Sequence, residues 1–197
     1  MIVKISDIAE AQGGLVLSRK EAKELSSQAC YFKRLTLRAL EESGFINDNN
    51  LEVFYANDSL PNALFTSPRD VVIRLCSPMC PVIIDERHEG LLVPSQLAVL
   101  KVKREAPVLP EYLRLCLTQR EIQERVLNVE SGTAQRTVKL GTIMDLQISV
   151  PDLETQSRVA QIDMLGRERE QKYHELIAQE RRFTEKIIED IIGGTLG

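Results

Sequence analysis

The stretch that follows Pro151 constrains the chain most. From Asp152 to Ile192 there is no proline and a single glycine, Gly166. Val159, Ile162, Tyr173, Leu176, Phe183 and Ile187 recur at three- and four-residue steps, with Ile191 close to the same stripe, which is the period of one helix face. Gly166, Arg169 and Glu180 fall on that stripe and interrupt it, so it reads as an imperfect coiled-coil seam. Asp152 or Thr155 can cap the start, and Gly193-Gly194 is a stop signal. Such a helix would be ~60 Å long at 1.5 Å per residue. A domain of about 150 residues is only ~30–40 Å across. Much of the helix is therefore expected to extend beyond its own domain with its stripe in search of a partner. The competing reading is a helix folded back onto its own core.

Residues 1–151 have a different texture. Short apolar runs, Asp70 to Leu75, Pro81 to Asp85 and Leu97 to Val102, are strand-like in length and β-branched content. Turn signals separate them at Ser77-Pro78, His88-Glu89-Gly90 and Pro94-Ser95. Pro110 opens one predicted helix, PEYLRLCLTQREIQERVLN, and Leu146 to Pro151 is a last short strand. ISDIAEAQGG reads as a short helix starting after a Ser6 cap and stopped by Gly13-Gly14. Residues 18–40 are ambiguous, because Ser18-x-x-Glu21 resembles a capping box while YFKRLTL suits a strand. The fold class is α+β, a mixed globule of short strands and helices followed by one long helix. No internal repeat is present.

Composition narrows function by exclusion. The 197 residues carry 25 Lys and Arg against 29 Asp and Glu, a net charge of −4, which excludes a histone-like cationic binder. From Asp152 onward seven basic residues face ten acidic ones, so the first 151 residues are near neutral. MIVKISDIAEAQGG lacks the basic and apolar regions of a signal peptide, and no apolar run reaches about 18 residues, so a cytoplasmic chain without a membrane span is expected. Cys30, Cys76, Cys80 and Cys116 sit in apolar contexts and are expected to be reduced and buried. Phosphate-cradling, zinc and nucleophile-elbow motifs are absent from the sequence, and no cofactor is expected in this chain. The weak catalytic alternative is a small metal-dependent nuclease or hydrolase built on His88 with Glu86 and Glu89. His174, in the charged helix, reads as solvated.

Basic residues group in three places. Arg19, Lys20, Lys23, Lys33, Arg34 and Arg38 lie close together with Tyr31 and Phe32 among them; Lys101, Lys103 and Arg104 form a second group; Gln135, Arg136 and Lys139 follow the break at Ser131-Gly132-Thr133. Such side chains bind phosphates and base edges, although ordinary solvated faces have the same composition. Arg19, Lys20, Lys23, Lys33, Arg34, Gln135, Arg136 and Lys139 are the candidate DNA contacts by position and chemistry.

In order along the chain, ISDIAEAQGGLVLSRK, YFKRLTLRAL, DVVIRLCSP, EGLLVPSQLAVLKV, LPEYLRLCL, SGTAQ and LQISVPDLETQSRVAQI resemble a specificity (S) subunit of a type I restriction–modification system, in half-length form. The most distinctive parts are GLLVPSQLAV and the junction of a short strand, Ile/Leu-x-x-Pro, Glu, Gln and a long helix. The resemblance implies a target recognition domain over 1–151 and a spacer helix over 152–197 that pairs antiparallel. It further implies that the chain reads one half of a bipartite site in double-stranded DNA without chemistry of its own. Methyltransferase subunits would dock on it and bind S-adenosylmethionine, and restriction subunits could join them. With one copy of the plan, a homodimer is expected, its interface formed by Val159, Ile162, Tyr173, Leu176, Phe183 and Ile187. The helix pair would act as a ruler between two inverted half-sites. Arg167, Arg169, Arg181 and Arg182 are the candidates for methyltransferase docking. A helix-dimerised scaffold that never touches DNA is the alternative of a different class.

Overall fold

The structure is a computed structural model that describes residues 1–22, 30–129 and 137–194. It divides into two compact units, Met1–Ala160 and Gln161–Gly197. The first is the α+β globule and the second is the greater part of a 42-residue helix, Leu153–Gly194.

In chain order the first unit contains β1 (Ile2–Lys4), α1 (Ile5–Ile8), β2 (Ala9–Gly13), β3 (Cys30–Arg34), β4 (Glu52–Ala56), β5 (Val71–Arg74), β6 (Val82–Ile83), β7 (Leu97–Val102), α2 (Pro110–Thr118), α3 (Arg120–Val129), α4 (Leu140–Met144), β8 (Gln147–Ser149) and the start of α5 (Leu153–Gly194). A four-stranded antiparallel sheet has the order β2-β7-β5-β6. Val71, Ile73, Ala98 and Leu100 project to one face and pack under α1, α2, α3 and α4. Val72, Val82, Leu97 and Val99 project to the other, onto Leu35, Ala39 and Leu40. Burial on both faces is why these strands read as continuous apolar runs rather than as alternations.

Two smaller pairings complete the unit. β3 and β4 form an antiparallel ribbon, Cys30 opposite Ala56 through Arg34 opposite Glu52, over a third cluster that includes Phe54, Leu60 and Leu92. β1 pairs with β8, and the Met1 ammonium donates to the Val150 carbonyl at 2.8 Å.

Two local expectations are corrected, one ambiguity is resolved, and the expectation of buried cysteines holds for two of the four. ISDIAEAQGG is one helical turn and then a strand: α1 begins before Ser6, with the Lys4 N–H donating to the Asp7 carboxylate at 3.3 Å, and Ala9–Gly13 pairs with β7. Here tertiary pairing overrides local propensity. The helix opened by Pro110 is two helices, because Gln119 is extended (φ −61°, ψ 132°). The Thr118 hydroxyl donates to the Leu115 carbonyl and the Gln123 amide to the Leu117 carbonyl, each at 2.7 Å, which satisfies the end of α2. The ambiguity over 18–40 resolves to a strand at Cys30–Arg34 and 3₁₀ turns at Leu17–Arg19 and Leu37–Ala39, with residues 23–29 outside the described residues. All four cysteines are free; Cys80 and Cys116 are buried as expected, whereas Cys30 and Cys76 are half-buried.

The junction into α5 is held by Gln156, which has no exposed surface. Its side-chain oxygen accepts the Leu109 N–H at 2.9 Å, and its amide donates to the Pro107 and Pro151 carbonyls at 2.8 and 2.9 Å. Asp152, rather than Thr155, caps the helix, accepting the Thr155 N–H and hydroxyl at 2.8 Å each. Gln156→Leu strands a buried N–H and two carbonyls, so it should lower stability by about 1–3 kcal/mol or more in urea unfolding. A Cβ on Gly14 would run into the Pro94 and Val93 carbonyl oxygens, so Gly14→Ala should cost about 1–3 kcal/mol in the same assay.

Candidate nucleic-acid interface

The site is organised by the stretch Gly90–Leu97, which is buried from Leu91 to Pro94. The Leu92 N–H donates to the Lys33 carbonyl at 2.8 Å and the Leu92 carbonyl accepts the Leu35 N–H at 2.9 Å, which fixes the end of β3. The Val93 carbonyl accepts the Leu15 N–H at 2.8 Å, and the Leu97 carbonyl accepts the Gly14 N–H at 3.1 Å. The Gln96 carbonyl accepts the Leu75 N–H at 2.8 Å, and the Leu75 carbonyl in turn accepts the Val138 N–H at 3.0 Å. Three chain segments that are remote in sequence thus meet at the end of the sheet where β7 begins: the run into Arg19 and Lys20, the end of β5, and the approach to Lys139.

Residues 20–22 continue along the free edge of β4. The Ala22 N–H donates to the Tyr55 carbonyl at 2.9 Å and the Asn57 N–H to the Lys20 carbonyl at 3.1 Å. Arg19 and Lys20, both exposed, are thereby placed beside the outer face of the β3–β4 ribbon. That face carries Tyr31 opposite Tyr55 and Lys33 opposite Val53. All four are exposed, Tyr31 by 73%. Strand alternation puts Phe32 and Phe54 on the inner face, with the Phe32 ring tilted against Phe65, their centroids 5.1 Å apart. An outward ribbon with two tyrosines and a lysine, flanked by Arg19 and Lys20, has the shape and donor set that a major groove admits.

The other candidates fall out differently. Arg34 lies on the inward-facing register and is ion-paired with Glu52, so its charge is already compensated. Lys139 is exposed at the start of α4. Lys23, Gln135 and Arg136 lie outside the described residues. The group at Lys101, Lys103 and Arg104 sits at the opposite end of β7. There Lys101 is 3.6 Å from Asp70, and Lys103 donates to the Ser6 and Asp7 carbonyls at 2.8 and 3.1 Å, so these two lysines are engaged within the fold, while Arg104 is exposed. Tyr55, Val53 and Asn57 were not singled out by the sequence reading. Their signal is the alternation LEVFYA between the turn-rich INDNN and NDSLPN.

His88 is held between two carboxylates. It is buried, with Nδ1 2.6 Å from Asp85 and Nε2 3.1 Å from Asp48. Its carbonyl accepts the Thr66 hydroxyl at 2.6 Å. The ring therefore ties two surface turns together, while Glu86 and Glu89 are exposed beside it. Among the described residues no group of three His, Cys, Asp or Glu side chains could hold a metal ion. Burial pushes the Asp85 carboxyl up, but hydrogen bonds from Arg87 and the proximity of His88 outweigh this and leave it below its ordinary range.

On α5, every described side chain from Gln161 to Gly193 is exposed except Asp163 and Arg167, which are half-buried and ion-paired at 2.9 Å. Ile162, Tyr173, Leu176, Phe183 and Ile187 are thus open apolar surface, whereas Val159 is half-buried within the first unit. Leu165, Ile177, Ile188 and Ile191 widen the stripe. Of the docking candidates, Arg169, Arg181 and Arg182 are exposed and Arg167 is engaged by Asp163. No described helix is long and apolar enough to cross a membrane.

The fold is similar to that of solved structures of type I restriction–modification specificity subunits. The HsdS subunit from Thermoanaerobacter tengcongensis superimposes with a TM-score of 0.67 at 17% identity, over 96% of this chain and 47% of that one. The type I S subunit from M. genitalium gives 0.62 at 13% identity, over 96% and 45%. A chain from a structure described as underlying complex assembly and conformational transition of the type I R-M system gives 0.68 at 16%, over 99% and 49%. The chain spans about half the length of these structures. No protein-family model and no curated protein matches it.

His88→Ala should cost about 1–3 kcal/mol of stability by leaving buried partners unpaired; unchanged stability would return His88 to the functional candidates. Asp85 titrates lower in the fold than its ordinary 3.8. Its contribution is therefore fully present above that value and lost as the pH falls through the lowered one. Asp85→Asn should remove this part of the acid sensitivity, read from urea midpoints between about pH 5 and about pH 2.

Proposed function

We propose that this chain is the sequence-reading component of a type I restriction–modification complex. Residues 1–151 read one half of a bipartite site in double-stranded DNA. Helix α5 pairs with α5 of a second copy, and methyltransferase subunits that bind S-adenosylmethionine dock on the assembly and perform the chemistry. Restriction subunits join the same assembly where cleavage is required.

The observation that carries this reading is the convergence of Lys20, Lys33, Tyr31 and Tyr55 on one outward ribbon surface, with exposed Arg19 next in the chain to Lys20, in an S-subunit fold. Lysine and arginine neutralise phosphates, and a two-stranded ribbon presents side chains to base edges. The first 151 residues are near neutral, so the isolated chain should bind duplexes weakly, with methyltransferase subunits supplying many of the phosphate contacts. The exposed apolar stripe supports the pairing of α5.

Methylation mapping in cells with and without the chain tests the reading directly: a bipartite, adenine-methylated motif should vanish with the chain. An unchanged methylome in cells that hold the partner methyltransferase would refute it. In anisotropy titrations with the methyltransferase subunits present, Lys20→Ala and Lys33→Ala should weaken binding across sequences, each reducing the salt slope by about one. Light scattering at tens of micromolar should give a dimer, and Leu176→Ala or Phe183→Ala should weaken it by about 2–5 kcal/mol. A monomeric wild-type chain would remove the pairing part of the proposal.

A further inference from the structure

The apolar stripe of α5 is interrupted by Gly166, Arg169 and Glu180, and no contact among the described residues accounts for them. The residues three and four positions from Arg169 are Leu165, Gly166, Lys172 and Tyr173, with no acid among them. Those around Glu180 are Leu176, Ile177, Phe183 and Thr184, with no base. Arg169 and Glu180 stand about 16 Å apart along the axis and cannot pair on one helix. A Cβ on Gly166 would meet nothing within 4 Å, so the fold of the single chain does not require glycine there. A glycine inside a helix weakens it, and a charge on a seam weakens its pairing unless it is matched.

We propose that two copies of the chain pair antiparallel in a single register, centred between His174 and Glu175, and that these three residues select it. The inference rests on the self-pairing of α5 proposed above and specifies how that pairing is fixed. Antiparallel helices oppose residues equidistant from their common centre. This centre sets Tyr173 against Leu176 of the partner subunit and Ile162 against Ile187 of the partner subunit. It sets Phe183 over the open space at Gly166 of the partner subunit, a large side chain into a gap. It also sets Arg169 against Glu180 of the partner subunit, twice by symmetry. All three interruptions become complementary at once.

Neighbouring registers fail. A shift by one heptad toward the N-terminus sets Arg169 against Tyr173 and Glu180 against Ile162; one toward the C-terminus sets Arg169 against Ile187 and Glu180 against Leu176. Either shift leaves two arginines and two glutamates facing apolar side chains. A parallel in-register pair opposes Arg169 to Arg169 and Glu180 to Glu180, like charges in both places. Helix length points the same way. The midpoint of Leu153–Gly194 lies within about one residue of the proposed centre, so the two helices overlap along almost their whole length, about 60 Å. Polar seam residues acting as register and orientation selectors are an established use of such positions. Arg169 then belongs to the dimer seam rather than to a methyltransferase-docking surface.

Charge reversal in the full-length chain tests the register. In sedimentation equilibrium, R169E and E180R alone should each raise the dimer dissociation constant at least about tenfold, because each opposes like charges at two places. The R169E/E180R double variant should return to within about threefold of wild type. An equimolar mixture of the two single variants should form a heterodimer, since one chain then carries two acids and the other two bases. Circular dichroism of each variant reports helix content separately. A monomeric wild-type chain overturns the self-pairing reading itself. A wild-type dimer whose single variants dimerise as tightly as it does leaves self-pairing standing and overturns the register.

Discussion

Everything around the β3–β4 ribbon depends on how the stretch Gly90–Leu97, buried from Leu91 to Pro94, pairs its backbone. An unpaired backbone N–H or C=O away from water costs about as much as a lost hydrogen bond, so a buried irregular stretch must find partners. This one takes them from Gly14 and Leu15, Lys33 and Leu35, Leu64 and Thr66, and Leu75. None of those segments can be moved without orphaning groups in the others. Gly14 belongs to the same constraint, since its missing side chain lets the N-terminal segment close on the Val93 and Pro94 carbonyls. Because the placement runs through main-chain bonds, it asks little of the outward side chains. Tyr31, Lys33, Val53 and Tyr55 are free to be chosen for what they touch outside the molecule.

What could be read from the sequence, and what could not, follows from the same physics. α5 was legible because a stripe at helical period over forty residues has one structural meaning. β5 and β7 were legible because burial on both faces makes strands continuous apolar runs. The resemblance drawn from GLLVPSQLAV and from the Pro-Glu-Gln junction fell on the two places where burial and backbone pairing are most demanding, Gly90–Leu97 and Gln156. The strand at Glu52–Ala56 was missed because it alternates over only five residues and its pairing partner lies across an irregular excursion. The short-range signals at Ser6 and Ser18 misled for the usual reason, that a cap sequence is a weak preference which sheet pairing can override.

The basic clusters show the limit of composition most clearly. Lys101–Arg104 and Arg19–Lys20 look alike in the chain. In the first, Lys101 and Lys103 are spent on Asp70 and on the α1 carbonyls, and the second stands free of the core beside an exposed aromatic ribbon. Only the strand register, which carries β7 from one end of the sheet to the other, separates them. His88 is the reverse case. A histidine among acids in a turn has the vocabulary of a metal or acid–base site, but Asp85 and Asp48 hold both ring nitrogens, and the cluster closes a fold contact instead.

The interruptions in α5 make the same point from the opposite direction. In one helix, Gly166, Arg169 and Glu180 are three separate faults in a seam. In the proposed pair they would be one matched set, since each fault supplies what another lacks. An uninterrupted stripe of leucine and isoleucine would bind more tightly but would accept many offsets and either orientation. A reader of two half-sites at a fixed spacing has more use for one offset than for the last increment of affinity, because a seven-residue slip moves one helix about 10 Å along the other. That distance is about three base pairs of duplex, enough to put a second half-site out of reach. In the proposed pair, the residues that weaken the seam would be the ones that make it a measuring device.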